Sequence, residues 1–142
     1  MKAGGIQIVS TYVFWIHHEE QEGKFNWTGN RDLRKFIELC GNLGLYAYPR
    51  IGPWCHGECR NGGFPDWIFS KGTPRTDDPG YLHYVRIFYS EIARQLKGLL
   101  YKDGGPVIGI QLDNELTDNP RHLLTLKKMA IELGIDVPLY TV

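Results

Sequence analysis

The hydrophobic pattern alternates between short apolar runs, typical of strands buried in a sheet, and longer segments with apolar residues at helical spacing. The runs predict four strands, at Ile6–Trp15, Leu45–Ile51, Val107–Leu112 and Val137–Val142. The longer segments predict three helices, at Arg31–Leu43, from Asp78-Pro79 to about Tyr101, and from Asn119-Pro120 to just before Gly134. This β-α-β-α-β-α-β order predicts a parallel sheet with right-handed crossovers.

The helix boundaries carry their own signals. Asn30 is the predicted N-cap of the first helix, and Gly44 follows its predicted end. The other two helices begin with a capping side chain followed by proline, which is a strong start signal. His83 and His122 fall within helices, and we expect both to be surface residues.

Two architectures fit this order: an open doubly wound sheet and a section of a (β/α)8 barrel. No Gly-x-Gly-x-x-Gly follows any strand, so a dinucleotide-binding sheet is not supported. The connection Gly52–Thr76 is long and rich in Gly, Pro and Trp, and long loops inside a compact domain are usually functional. No linker divides the chain, so residues 1–142 are interpreted as part of one domain, without a second.

Charge and cysteine usage exclude several classes of function. Sixteen basic residues balance sixteen acidic ones, which argues against nucleic-acid or anionic-membrane partners. No stretch is apolar enough for membrane insertion, and the first residues lack the pattern of a signal peptide. Cys40, Cys55 and Cys59 form no disulfide framework, and Cys55, Cys59 and His56 lack the second ligand pair of a zinc finger. We expect neither metal nor cofactor.

Polar and aromatic residues lie at or just beyond the carboxyl ends of three predicted strands, and in a parallel sheet those ends share one edge. They are Tyr12, Trp15, His17, His18 and Glu19, then Arg50, His56 and Glu58, then Asn114 and Glu115. Any one of them could simply cap a strand or solvate a loop, but three loops together favour a site. Paired carboxylates beside Trp and Tyr indicate glycoside hydrolysis, in which one carboxyl protonates the leaving oxygen and another attacks the sugar or activates water.

Five collinear segments carry a resemblance to a known family. They are Thr11–Glu19, Gly23–Gly29 with Asp32-Leu33, Arg50–Trp54 with Gly57-Glu58, Gly62–Trp67, and Gly104–Ile108 leading to Gln111–Glu115. In these segments the chain resembles glycoside hydrolase family 35, the β-galactosidase family of the large clan whose barrels place Asn-Glu at a strand end. The resemblance covers Ile6 to about Thr117.

The resemblance implies a (β/α)8 TIM barrel, of which this chain would hold about half, with strands resembling the second to fifth. It also implies a retaining hydrolase of terminal β-D-galactose residues. Glu115 would be the general acid/base and Asn114 its sugar-binding neighbour. Tyr12, Gly57 (through its backbone) and Glu58 would contact galactose. The nucleophile would be a second Glu on the seventh strand, outside this chain, so the isolated fragment is predicted to be inactive.

Departures from the family pattern leave the sugar open. Ile16, Glu20, Cys59 and Leu116-Thr117 stand where members often have Asn, Pro, Trp and Tyr-Gly. Cys59 and Leu116 would line the sugar pocket, so galactose is the default and another β-linked sugar is an alternative. A non-catalytic carbohydrate-binding or degenerate barrel protein is the second hypothesis. The resemblance further implies a secreted, periplasmic or lysosomal protein.

Four residues are expected to support the site: Trp15, His18, Glu19 and Arg50. Arg50 is expected to pair with a carboxylate and to orient Glu115 or Glu58. His18 could contact substrate, or it could be a buried, hydrogen-bonded structural residue. Asp113 could lie behind the site or point away, since strand residues alternate between faces. Finally, half a barrel has two open edge strands, which predicts self-association.

Overall fold

The computed structural model describes all 142 residues. The strands are β1 Ile8–Tyr12, β2 Tyr46–Arg50, β3 Ile110–Gln111 and β4 Leu139–Tyr140. The α-helices are α1 Trp15–His18, α2 Leu33–Asn42, α3 Pro79–Leu96 and α4 Pro120–Glu132. Short 3-10 segments occupy Lys2–Gly4, Gly29–Arg31, Arg60–Gly63, Asp66–Ser70 and Tyr101–Asp103. The predicted alternation of strands and helices is therefore present, with one additional short helix after β1.

The strand order distinguishes the two predicted architectures. The sheet runs β1-β2-β3-β4, and every neighbouring pair is parallel. A doubly wound sheet reverses its strand order at a switch point, whereas a barrel adds each strand beside the preceding one. The register aligns Tyr12 with Arg50, Arg50 with Gln111, and Gln111 with Tyr140. This monotonic order is that of a barrel section, and it places the carboxyl ends of all four strands in one row.

Helix starts follow the predicted caps in two of three cases. The Asp78 carboxylate accepts the Gly80 N–H at 2.8 Å, and the Asn119 side chain caps α4 in the same manner. The third prediction is wrong, because α2 is capped by Asp32 and not by Asn30. Residues Gly29–Arg31 form a 3-10 turn, which moves the start of the helix to Leu33.

The first strand is shorter than its apolar run, which predicted a strand as far as Trp15. The strand ends at Tyr12, and the chain then turns through α1. This turn directs the Trp15 indole into the core, where it is fully buried and stacks on Phe88 with ring centroids 4.7 Å apart. Burial of a large aromatic side chain therefore overrides the strand propensity of the segment.

Helix α3 ends at Leu96, before the predicted end at Tyr101. Gly98 adopts φ +77°, a conformation that favours glycine and breaks the helix. Leu100 then forms a parallel bridge with Val107, beside β2. Leu100 therefore belongs to the sheet layer, whereas Tyr101 begins a 3-10 segment and is exposed.

The core lies between the sheet and the helices. Its fully buried members include Ile37, Ala47, Val85, Phe88, Ile92, Val107, Ile110 and Leu126. Phe36 and Leu43, which share the apolar stripe of α2 in the sequence, are instead 36% and 53% exposed. None of the helices combines the length and the apolar character needed to cross a membrane.

The edge strands β1 and β4 lead to a prediction for the chain as an isolated polypeptide. Ile8 on β1 is 51% exposed, beside backbone groups that have no further strand to pair with. Because unpaired edges act as templates for strand pairing, the 142-residue chain is expected to self-associate at micromolar concentration. Light scattering coupled to size-exclusion chromatography measures this, and Ile8→Lys should shift the population toward monomer. A monomeric wild-type chain would contradict the prediction.

Candidate active site

The carboxyl ends of β1, β2 and β3 meet through three side chains. The Arg50 guanidinium carbon lies 4.1 Å from the centroid of the Tyr12 ring. An Arg50 Nη2 hydrogen is donated to Asn114 Oδ1 at 2.5 Å. Both contacts follow from the register, which puts the end of each strand beside the next. The structure thus brings together Tyr12, Arg50 and Asn114, as the common-edge argument predicts.

The Asn114 carboxamide receives a second hydrogen bond from within β3. Gln111 Nε2 donates to Asn114 Oδ1 at 2.9 Å and to the Asp113 carbonyl at 2.8 Å. Gln111 and Asn114 are both buried, and a buried amide needs such partners. The expectation that Arg50 pairs with a carboxylate is wrong: its partner is an amide, because Asn114 is the residue that faces Arg50 where β3 ends.

Glu115 follows Asn114 on an unusual backbone turn. Asp113 and Glu115 have φ angles of +50° and +52°, in the left-handed region that residues other than glycine rarely adopt. Such conformations cost about 1–3 kcal/mol each and persist where surrounding contacts hold them. The Glu115 side chain is exposed, and its backbone N–H donates to the Val142 carbonyl at 2.8 Å. The turn presents Glu115 to solvent while Asn114 stays buried.

Glu58 reaches the same edge through His56. His56 Nδ1 lies 2.7 Å from the Glu58 carboxylate, and the His56 ring is 4.8 Å from the Tyr12 ring. A hydrogen bond from its own backbone N–H, together with His56, lowers the pKa of Glu58 below its usual value. Glu58 is therefore an ionised, exposed carboxylate at the end of a continuous row that runs through Tyr12 and Arg50 to Asn114.

Trp15, His18 and Glu19 belong to a different group of contacts. The buried Glu19 carboxylate accepts the Trp15 Nε1–H and the Gly23 N–H, each at 2.7 Å. The His18 ring stacks on Trp27 with centroids 4.0 Å apart. Burial raises the pKa of Glu19. Of the two alternatives for His18, the structure shows the buried, hydrogen-bonded one, with its Nδ1 3.1 Å from the Asn26 carbonyl. A supporting role of Trp15 and Glu19 at the strand ends stays a prediction.

Burial of His18 makes the stability of the fold sensitive to acid. Desolvation is the main cause that lowers its pKa from 6.5 to about 4. The unfolded chain therefore binds this proton more readily, so the free energy of unfolding should fall as pH decreases from about 6.5 toward 4. Urea titrations across this range measure the slope. His18→Gln should flatten the slope relative to wild type, and an unchanged slope would contradict the assignment.

The structure also reveals a residue that the sequence did not single out. Arg75 Nη2 donates to Asp113 Oδ1 at 2.6 Å and to the Asn114 carbonyl at 2.7 Å. Asp113 is buried, and desolvation raises its pKa even though Arg75 acts in the opposite direction. In sequence, Arg75 is one cation near the end of a long connection, and no local pattern distinguishes it from a surface arginine.

His122 was expected on the surface but is fully buried. Its Nδ1 lies 2.9 Å from the Asp77 carboxylate, and its ring lies 5.8 Å from that of Tyr81. The apolar stripe of α4 predicted which residues would face inward only by hydrophobicity. A histidine that is buried because it has a carboxylate partner on another segment has no such signal.

Metal ligation has no support in the side-chain geometry. No group of three or more His, Cys, Asp or Glu side chains could hold a metal ion. Cys55 is buried with its Sγ 3.7 Å from the Val13 carbonyl, and Cys59 Sγ lies 3.1 Å from the His56 carbonyl. Burial raises the pKa of the Cys55 thiol, which disfavours the thiolate that a metal would require.

Sequence comparison now places the chain among known proteins. The profile of Glycosyl hydrolases family 35 matches residues 1–141. The chain belongs to this family. It is 38% identical to a β-galactosidase of Bos taurus over 99% of its length, and 34% identical to one of Xanthomonas manihotis over 95%. Each match spans 23% of the relative, so this family 35 chain corresponds to less than a quarter of those proteins.

Solved structures agree on the fold of this family 35 chain. An exo-β-1,4-mannosidase from Opitutaceae bacterium strain TAV5 superposes with a TM-score of 0.75 at 21% identity, over 98% of this chain and 26% of that one. A GH5_18 protein from Bifidobacterium longum subsp. infantis superposes with a TM-score of 0.71 at 15% identity, over 99% of this chain and 35% of that one. The likeness shows the fold alone. Together with the strand order, it identifies the chain as part of a (β/α)8 barrel, as the family resemblance implies.

Proposed function

We propose that the protein is a glycoside hydrolase of the β-galactosidase type, which removes terminal non-reducing β-D-galactose residues from carbohydrates. The observation that carries this proposal is the Asn114-Glu115 pair at the carboxyl end of β3, in a chain that belongs to family 35. Relatives named β-galactosidase, from cattle to plants and bacteria, support galactose as the sugar.

Glu115 is proposed to be the general acid/base. Its exposed side chain stands where a glycosidic oxygen can approach, and a carboxylic acid there would protonate that oxygen as the bond breaks. In the second step the same carboxylate would remove a proton from the attacking water. Asn114, held by Arg50 and Gln111, would hydrogen-bond a sugar hydroxyl and strengthen that bond in the transition state.

Three further residues are proposed to contact the sugar. Glu58 offers an ionised carboxylate that can accept hydroxyl hydrogens, and Tyr12 is held at the same edge by Arg50. Gly57 would contact the sugar through its backbone. The nucleophile of a retaining mechanism is a second carboxylate about 5–5.5 Å from the acid/base. We propose that a part of the barrel outside these 142 residues supplies it.

The direct test is hydrolysis of 4-nitrophenyl β-D-galactoside by a polypeptide that carries this chain within a complete barrel. Hydrolysis with retention of anomeric configuration, followed by NMR, is the expected result. The isolated 142-residue chain should show no turnover, because it would contribute only the acid/base. Hydrolysis by the isolated chain would contradict the assignment of the nucleophile to another segment. Galactose binding without any hydrolysis by the complete barrel would instead select a non-catalytic carbohydrate-binding protein.

One observation favours a second sugar specificity. The chain is also 37% identical to an exo-β-D-glucosaminidase of Pyrococcus horikoshii, over 81% of its length. The departures at Cys59 and Leu116 fall where the family resemblance places the sugar pocket. A parallel assay with 4-nitrophenyl β-D-glucosaminide discriminates the two sugars. A higher kcat/KM for the glucosaminide than for the galactoside would show that glucosamine, and not galactose, is the preferred sugar.

Gly57 gives a specific prediction about substrate contact. A Cβ added at Gly57 meets no atom within 4 Å, so Gly57→Ala should leave the free energy of unfolding within about 0.5 kcal/mol of wild type. The added methyl group would, however, stand beside the backbone proposed to contact sugar, and galactose affinity measured by calorimetry should fall. Gly4→Ala is the matched control, since its Cβ also meets open space. Equal affinities for both variants would remove Gly57 from the site.

A further inference from the structure

We propose that Arg75 is a positioning residue for Glu115, acting through the Asp113 carboxylate and the Asn114 carbonyl. This inference rests on the proposed role of Glu115 as acid/base. Arg75 lies near the end of the Gly52–Thr76 connection and reaches the carboxyl end of β3, where it does not contact the sugar-facing carboxylate itself.

The contact geometry fixes two consecutive residues at once. One nitrogen, Arg75 Nη2, donates to Asp113 Oδ1 at 2.6 Å and to the Asn114 carbonyl oxygen at 2.7 Å. The same Asp113 oxygen accepts the Asn114 N–H at 2.8 Å. The Asp113 side chain is fully buried and that of Arg75 is 23% exposed, so this charge-assisted bond is shielded from solvent.

The peptide group that leads into Glu115 is therefore held at both ends. Its carbonyl oxygen, from Asn114, accepts from Arg75, and its N–H, from Glu115, donates to Val142. The orientation of this peptide plane sets the direction of the Glu115 side chain. The φ angle of Glu115, +52°, holds this plane in a conformation that is unfavourable for a residue with a side chain, so the plane depends on these contacts. Removing Arg75 frees one end.

Arg75 is itself placed by packing. Its guanidinium carbon lies 4.8 Å from the Trp54 ring centroid, and its backbone carbonyl accepts from Asn119 Nδ2 at 3.3 Å. Trp54 in turn lies against Gly62, where an added Cβ would clash with the indole. The connection thus supplies a fixed guanidinium rather than a mobile surface cation, which is what positioning at the ångström scale requires.

A purely structural role makes a different prediction from a positioning role. If Arg75 only neutralises buried Asp113, its replacement would lower stability and reduce every substrate's rate alike. If it positions Glu115, the loss should be concentrated in substrates whose leaving group needs protonation. Arg75→Lys separates the two, because lysine keeps the charge but lacks the planar guanidinium that stacks on Trp54 and is held in one orientation.

The kinetic experiment compares aryl β-galactosides in the complete-barrel polypeptide. For Arg75→Lys we expect kcat/KM on phenyl galactoside, a poor leaving group, to fall roughly a hundredfold, because kcat/KM reports the first step, in which Glu115 acts as acid. With 2,4-dinitrophenyl galactoside that first step needs no acid, so its kcat/KM should change far less. Arg60→Gln is the control: Arg60 lies on the same connection, with a 70% exposed side chain paired to exposed Asp66. An equal fall for both substrates, or no fall for either, would overturn the positioning role.

A second measurement does not depend on activity. Amide hydrogen exchange should become faster at Asn114 and Glu115 in Arg75→Lys, while Ile110 in the middle of the core keeps its protection. Asp113→Asn, which retains an oxygen acceptor but removes the charge, should produce the same local change. Unaltered exchange at Asn114 and Glu115 in both variants, or equal loss at Ile110, would refute the proposal. If the wild-type protein hydrolyses no glycoside, the proposed function fails and exchange alone decides the positioning claim.

Discussion

Replacing Glu115 by Gln in the complete-barrel polypeptide is expected to lower the hydrolysis of phenyl β-galactoside by roughly 10²- to 10⁴-fold. Glutamine can neither protonate the leaving oxygen nor take a proton from water. With a 2,4-dinitrophenyl leaving group the first step needs no acid, so glycosyl transfer to the enzyme should remain fast. The glycosyl-enzyme should then accumulate, because its hydrolysis lacks the general base. Stopped-flow release of the phenol, compared with steady-state turnover, measures the two steps separately.

The Glu115→Gln variant should be folded like wild type, because the replaced side chain is exposed. Glu38→Gln is a suitable comparison, since Glu38 is an exposed carboxylate on α2 that pairs with Arg34. Its hydrolysis rates should equal those of wild type. Wild-type rates on phenyl galactoside for Glu115→Gln would show that the acid/base is another residue.

Trp15→Ala should lower the free energy of unfolding of the chain by about 3–5 kcal/mol. The Trp15 indole is fully buried and stacks on Phe88. It also packs edge-on against Phe64 and Trp67, with ring centroids 6.2 and 5.8 Å apart. Its removal would leave a cavity and would also take a hydrogen-bond donor from buried Glu19. Urea unfolding followed by far-UV circular dichroism gives the change.

Two comparisons isolate the cause of this loss. Trp15→Phe keeps an aromatic ring against Phe88 but lacks the indole N–H, so it should lose less than Trp15→Ala. Trp27→Ala removes a half-buried indole from the same connection and should also be milder. A loss below about 1 kcal/mol for Trp15→Ala would mean that the surrounding side chains collapse into the space.

Local chemistry made some elements predictable and left others to tertiary context. The caps at Asp78 and Asn119 locate two helix starts because side chain and backbone interact within one turn of the same chain. The ends of the strands were harder to predict from the sequence. Tyr12 ends β1 because Trp15 packs against a helix more than seventy residues later, and such a partner has no signature near Trp15 itself.

The same distinction applies to the candidate site. Asn114 and Glu115 were identifiable because an amide and a carboxylate end an otherwise apolar run, and that contrast is local. The partner of Arg50 was not identifiable, since an amide and a carboxylate are equally good acceptors until the register places one of them. Arg75 was missed for a related reason: its acceptors lie 38 and 39 residues away.

The two donors that converge on Asn114 Oδ1 decide which hydrogen-bonding polarity remains for a ligand. Arg50 and Gln111 occupy the acceptor side of the carboxamide, so only its NH₂ hydrogens are free. A sugar hydroxyl facing Asn114 must therefore present a lone pair and direct its own hydrogen elsewhere, toward an anionic group such as a carboxylate. Aspartate at this position would keep both internal bonds yet offer the hydroxyl no donor. An isosteric exchange would thus invert the recognition while keeping the two internal acceptor bonds.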